Sequence, residues 1–168
     1  MSATRGSMHD RRRAALQALY QFDCGRASEP EIVRAALASQ AGSGASAGAA
    51  DGQLAEPDPD SCHLSPDAIG PGFELAERAW EHRAEADRAV SELAADWPTH
   101  RQPTIDRAIL RLAHYELTHA GLPAAVVIDE AVELAKAFGT EKSASFINAV
   151  LDKVAGQGRS VDGAQGSA

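Results

Sequence analysis

The 168-residue sequence predicts an all-α fold, a compact bundle of about six to seven helices. Apolar residues recur at three- and four-residue spacings through most of the chain, and no segment sustains the period-two alternation of a half-buried strand. A third observation marks the limits of the folded part. Residues 41–50, AGSGASAGAA, contain only Ala, Gly and Ser, and they lead into Pro57, Pro59, Pro66 and Pro71 among Asp51, Glu56, Asp58, Asp60 and Asp67. Such a segment buries too little apolar area to offset the ~1–2 kcal/mol per residue of backbone ordering entropy. One domain is therefore expected over residues 8–155, interrupted by a disordered insertion at about 40–70 and flanked by disordered tails at 1–7 and 156–168.

The first helix is expected over about 10–24, with Ala15, Leu19 and Phe22 inward, Asp10 as N-cap and Gly25 as the stop. A second, at about 29–39, turns Ile32, Ala36 and Leu37 inward. The third is long, about 73–97, with Phe73, Trp80, Val90, Leu93 and Trp97 inward and Pro98 closing it. The fourth covers about 104–119 and buries Ile105, Ile109 and Leu112. The fifth starts near Pro123, buries Val127, Ala131, Leu134 and Phe138, and ends at Gly139. The sixth, capped by Thr140, buries Ile147, Val150, Leu151 and Val154.

Composition excludes several function classes. Two cysteines, Cys24 and Cys62, make neither a disulfide scaffold nor a cysteine-only zinc site, and they suit a reducing cytoplasm. No apolar run approaches the ~18 residues of a membrane span, so no membrane partner is expected. The net charge of −8 argues against nucleic acid when taken whole. It is, however, segregated: residues 51–72 carry five acids and no Lys or Arg, whereas residues 1–13 carry Arg5, Arg11, Arg12 and Arg13 against Asp10 alone.

Helix starts favour acids, because the macrodipole places partial positive charge there. Three consecutive arginines in a first turn therefore do not serve stability, but an anion bound beside them would accommodate them. A solvated basic end is the alternative. At 100° per residue Arg13, Gln17, Tyr20 and Cys24 form a stripe nearly opposite the core face, an arrangement suited to single-stranded RNA: guanidinium on phosphate, amide on base edge, ring on base. Tyr20 could equally pack on a neighbouring helix. On the sixth helix Phe146 lies about 100° from the core centre beside Lys142 and Lys153, a second stacking and phosphate surface or else the edge of the core.

Catalytic and metal readings find no support at this level. His114 and His119 stand about 140° apart around their helix, so they cannot share a metal as an i, i+4 pair could. Glu116, Asp129, Glu130 and Glu133 accompany no nucleophile elbow, glycine-rich loop or zinc-ligand spacing. Neither an enzyme nor a cofactor is expected.

Three segments, RRRAALQALYQFD at 11–23, IDRAILRLAHYEL at 105–117 and LPAAVVIDEAVELAKAFGTEKSASFINAVLDKV at 122–154, resemble the NusB family of transcription antitermination factors. The resemblance implies two packed helical subdomains, no catalysis and no cofactor. It also implies binding to the boxA element of nascent ribosomal RNA, jointly with a small-subunit ribosomal protein acting as NusE, within the RNA polymerase antitermination complex. By position it assigns RNA contact to Arg11, Arg12, Arg13, Gln17 and Tyr20, with Arg5 upstream, and to Asp106, Lys142 and Phe146. A homodimer is left open by this reading. Two other readings stand beside it: a helical protein-interaction adaptor, and the RNA-recognition subunit of a ribosomal RNA modification enzyme.

Overall fold

A computed structural model describes residues 2–42 and 64–162, with side chains described over 8–41 and 64–157. The described residues are all-α, with seven α-helices and no strand. The chain divides into two compact helical units, 1–75 and 76–168.

The first unit opens with α1 (Ser2–Gln21), which turns through a π-helical segment at Phe22–Arg26. Gly25, at φ 93°, supplies the left-handed residue that lets the chain leave the helix, as the stop expected there requires. Next come α2 (Pro30–Gly42) and the first part of α3 (Pro66–Glu81). Ala14, Ala15, Leu16, Ala18, Leu19 and Phe22 of α1 are buried with Val33, Leu37, Leu64, Ala68, Ile69 and Phe73. The Phe22 and Phe73 rings meet edge to face at 5.8 Å. A Cβ added at Gly72 would stand 2.5 Å from Ala14 Cβ and 2.7 Å from the Arg11 carbonyl oxygen, so the glycine permits α3 to cross α1 at backbone contact distance.

In the second unit, the end of α3 is followed by α4 (Arg83–Leu93), a 3-10 turn (Thr99–Arg101), α5 (Thr104–Thr118), α6 (Ala124–Phe138) and α7 (Ser143–Asp162). The last three helices pack on one another in chain order. Their core is Ile109, Leu110, Leu112, Val127, Ala131, Leu134, Ile147, Val150, Leu151 and Val154. Buried Arg111 forms a two-pronged bond with Asp87 of α4, Nε to Oδ1 and Nη2 to Oδ2 at 2.8 Å each, and lies 5.3 Å from the Trp80 ring centroid. A Cβ on Gly139 would meet the Ala135 carbonyl oxygen and Ser143 Cβ, each at 2.6 Å, which is why the tight α6–α7 turn takes a glycine.

Several expected boundaries change. Because α1 begins at Ser2, Asp10 is not its N-cap and Arg11–Arg13 lie in mid-helix. Once a helix is nucleated each further residue adds a hydrogen bond at little cost, and nothing in SATRGSMH stops extension toward the N-terminus. Extension at the other end likewise carries α7 to Asp162, through the first part of the expected tail. Of the residues assigned to the insertion, 66–70 instead begin α3, and Leu64, Ala68 and Ile69 are buried. Pro66 suits a first turn that needs no N–H donor, and Asp67 suits the positive end of the helix. The long third helix is two, bent at His82 (φ −92°, ψ 8°). Ile32 and Trp97 are exposed, not inward, since α2 packs through Val33 and Leu37 and the chain is non-helical after Leu93. The rest of the insertion, 43–63, and the end of the tail, 163–168, lie outside the described residues.

Candidate nucleic-acid interface

Two regions carry the residues assigned to RNA, one in each unit. On α1 the stripe expected to face solvent does so only at its C-terminal end. Tyr20 is 45% exposed and Cys24 is exposed, whereas Gln17 is half-buried and Arg13 is buried. Arg12 and Arg13 are only 3% and 6% exposed, which corrects the outward aim given to Arg13. The cause is that α1 is covered on more than one side, so its apolar wheel does not report its full burial. Arg13 Nη1 lies 3.7 Å from Asp10 Oδ1, one turn back, and this ion pair keeps a carboxylate beside a buried cation. Arg11 is half-buried and its Nε donates to the Pro71 carbonyl oxygen at 3.2 Å, across the Gly72 crossing. That bond uses one of the five guanidinium donors. The mid-helix position also leaves no helix-start anion site beside the arginines. Arg5 lies outside the residues whose side chains are described.

In the second unit a hydrogen-bonded knot at the start of α7 gathers the other assigned residues. Ser143, buried, accepts from the Thr140 backbone N–H at 2.8 Å and lies 3.0 Å from Thr140 Oγ1. Its side chain also bonds to Asp106 of α5, whose Oδ1 is buried without a hydrogen-bond partner. Burial raises the Asp106 carboxyl above its ordinary pKa, with the Ser143 hydrogen bond opposing the shift. Lys142, next to Ser143, is exposed, and Phe146, one turn further on, is half-buried. The structure thus joins Asp106 to the turn that presents Lys142 and Phe146. Lys153 is exposed, and its Nζ donates to the Leu93 carbonyl oxygen at 3.4 Å.

A third cluster escaped the sequence reading. His82, at the α3–α4 bend, and His119, just past α5, stack with ring centroids 3.9 Å apart, and Glu85 reaches both. The hydrogen bond with His119 holds the Glu85 carboxyl below its ordinary range. His114, buried on α5 with Nδ1 unpartnered, is held neutral toward lower pH by desolvation. The His82–Glu85 spacing is visible in the sequence, but nothing local there places His119 beside it.

Among the described residues no helix is long and apolar enough to cross a membrane.

The family model described as NusB matches residues 9–156. The transcription antitermination protein NusB of Symbiobacterium thermophilum is 36% identical over 157 residues, covering 93% of this chain and 92% of the relative. Its Myxococcus xanthus counterpart is 36% identical over 151 residues, covering 89% and 95%. Among solved structures, T. maritima NusB aligns with a TM-score of 0.64 at 28% identity, covering 89% of this chain and 90% of that one. A chain in the crystal structure of a plectonemic RNA supercoil aligns at 0.69 and 21% identity, a likeness of fold alone, covering 91% and 96%. With a family model spanning nearly all of the helical chain and full-length relatives above one-third identity, this chain belongs to the NusB family.

Proposed function

We propose that this chain is a non-catalytic transcription antitermination factor that binds boxA-like single-stranded RNA of ribosomal operon transcripts. It does so together with a small-subunit ribosomal protein acting as NusE, and it supports processive RNA polymerase in the cytoplasm. The observation that carries this reading is the family match over residues 9–156, with relatives named as antitermination proteins.

The burial of the assigned residues divides their roles. Tyr20 and Lys142 are exposed, and Arg11, Gln17 and Phe146 are half-buried, so these meet RNA directly: ring on base, cation on phosphate, amide on base edge. Arg12, Arg13 and Asp106 are buried and act by positioning their neighbours. Arg5 is the upstream phosphate contact. With Arg12 and Arg13 withdrawn, Arg11, Lys142 and Lys153 remain, and log affinity should fall with log salt at a slope of about −2, or about −3 with Arg5.

Fluorescence anisotropy with a labelled boxA-like RNA, with and without the ribosomal protein, tests the proposal. Tyr20→Ala and Lys142→Ala should each weaken binding while leaving the circular dichroism unchanged. Absence of RNA binding in both conditions, with the ribosomal protein still bound, would replace the proposal with a protein-interaction adaptor. Methyl transfer to ribosomal RNA by the chain alone would overturn the non-catalytic role.

A further inference from the structure

His82, Glu85 and His119 bring three metal-ligating side chains from two separate stretches of chain to one place in the second unit. His82 sits at the bend between α3 and α4, where its backbone leaves ideal helical geometry. Glu85 follows three residues later in the first turn of α4, on the same helical face. His119 is the residue immediately after α5. Glu85 Oε2 lies 3.0 Å from His119 Nε2 and 3.6 Å from His82 Nδ1, so one carboxylate oxygen faces a ring nitrogen of each histidine. The two imidazoles stack at 3.9 Å with 27° between their planes. The three donor atoms all fall within 4.8 Å of one another, the one such group among the described residues.

Four ligands held tetrahedrally at the ~2.0–2.1 Å of a zinc–nitrogen or zinc–oxygen bond are separated by about 3.3 Å. The two measured separations to Glu85 Oε2 bracket that value. Closure on an ion would require the two stacked imidazoles to turn out of their near-parallel planes, because each ring binds a metal in its own plane, and both side chains are exposed or half-buried. Two imidazoles with one carboxylate suit zinc and its transition-metal neighbours, not magnesium or calcium, which prefer all-oxygen shells. Tyr115, one turn before His119, flanks both rings, with centroids 5.6 Å from His82 and 5.7 Å from His119, and limits how far they can swing apart.

We propose that His82, Glu85 and His119 form a three-ligand site for a zinc-class divalent cation. The fourth position is open to water or to a donor from a bound partner. Such an ion would tie the end of α5 to the α3–α4 bend, joining positions 37 residues apart in the sequence, and each histidine would bind as the neutral imidazole. The site is independent of the RNA-binding proposal, since none of its residues is assigned to RNA.

The test uses the untagged full chain, stripped with chelator and dialysed into metal-free buffer. Calorimetric titration with zinc chloride should show one ion bound per chain, and magnesium chloride should show none. Cobalt(II) should bind with the visible absorption bands of a tetrahedral nitrogen–oxygen site. His82→Gln and His119→Gln should each weaken zinc binding by at least the roughly 10–100-fold seen when groups supporting a metal's ligands are removed. His100→Gln, at an exposed histidine elsewhere, should leave it unchanged. Circular dichroism of the metal-free variants should match the parent, because the altered side chains lie at the surface. Equal zinc affinity in all four proteins, or no saturable binding in the parent, would overturn the proposal, as would an octahedral cobalt spectrum.

Discussion

Replacing Gly72 by alanine adds one methyl group where α3 crosses α1 at backbone contact distance. The new Cβ would lie 2.5 Å from Ala14 Cβ and 2.7 Å from the Arg11 carbonyl oxygen. Carbon atoms pack at about 3.5–4.0 Å, so about 1 Å of separation must be found. Neither obstacle can rotate away, because one is backbone and the other is a β-carbon fixed to it. α1 and α3 must therefore part, loosening the Phe22–Phe73 pair and the Arg11–Pro71 hydrogen bond with them. Overpacking of this kind costs about 1–3 kcal/mol, while the better helix propensity of alanine returns up to about 1 kcal/mol. The net expectation is a loss of about 1–2 kcal/mol. With a urea dependence of about 1–3 kcal/mol per molar, the unfolding midpoint should fall by roughly 0.3–2 M. Gly156→Ala in α7 is the control, since its added Cβ would meet nothing within 4 Å, and its midpoint should hold or rise. A Gly72→Ala midpoint that rises alongside the control would refute the close crossing.

Two further perturbations probe the second unit. Arg111→Ala should cost about 2–3 kcal/mol in urea unfolding, less than the ~3–5 kcal/mol of a fully buried pair because the Asp87 side chain is 30% exposed. Arg111→Lys should recover little of that loss, because an ammonium cannot make the two-pronged bond, and full recovery would show that charge alone suffices. Asp106→Asn should stabilise the chain near pH 7. A carboxyl whose pKa is raised in the fold contributes its full stability below its unfolded value and loses it as pH rises through the folded one, so parent and variant should converge near pH 4 and diverge above it. Equal stability of the two at pH 7 would show that the buried carboxylate carries no cost.

Helices with a single apolar face were legible from periodicity, and α5, α6 and α7 are the clearest. Ile109 and Leu112, then Val127, Ala131 and Leu134, then Ile147, Val150, Leu151 and Val154 recur at helical spacing and are buried where that spacing puts them. Periodicity does not report burial that has another cause. Arg12 and Arg13 are inside because α1 is covered on several sides, and a wheel that classes arginine as outward cannot register that. The Leu64–Phe73 stretch reads as proline- and glycine-rich, yet Leu64, Ala68, Ile69 and Phe73 become core, and Gly72 serves contact, not a turn. In α2 Leu37 is buried as expected, but Val33 takes the inward place given to Ile32 and Ala36 is only half-buried, because so short a helix leaves its phase weakly determined. Of the site residues, Tyr20 was legible as an outward ring. The bonding of Asp106 to Ser143 and the meeting of His82 with His119 are tertiary facts that local spacing does not encode.

The Arg11–Pro71 contact closes a loop of sixty residues of chain, whereas α5 packs against α6 and α6 against α7, neighbours in the sequence. Local contacts form quickly and distant ones wait on loop closure. The three-helix core of the second unit should therefore be in place before α3 finds α1. Halving the length between α2 and α3 would shorten that loop by only about a fifth and change the closure entropy by only ~0.2 kcal/mol. The length of that stretch is thus nearly free to vary in thermodynamic terms, while the order in which the two units acquire their cores is set by where α3 stands in the chain.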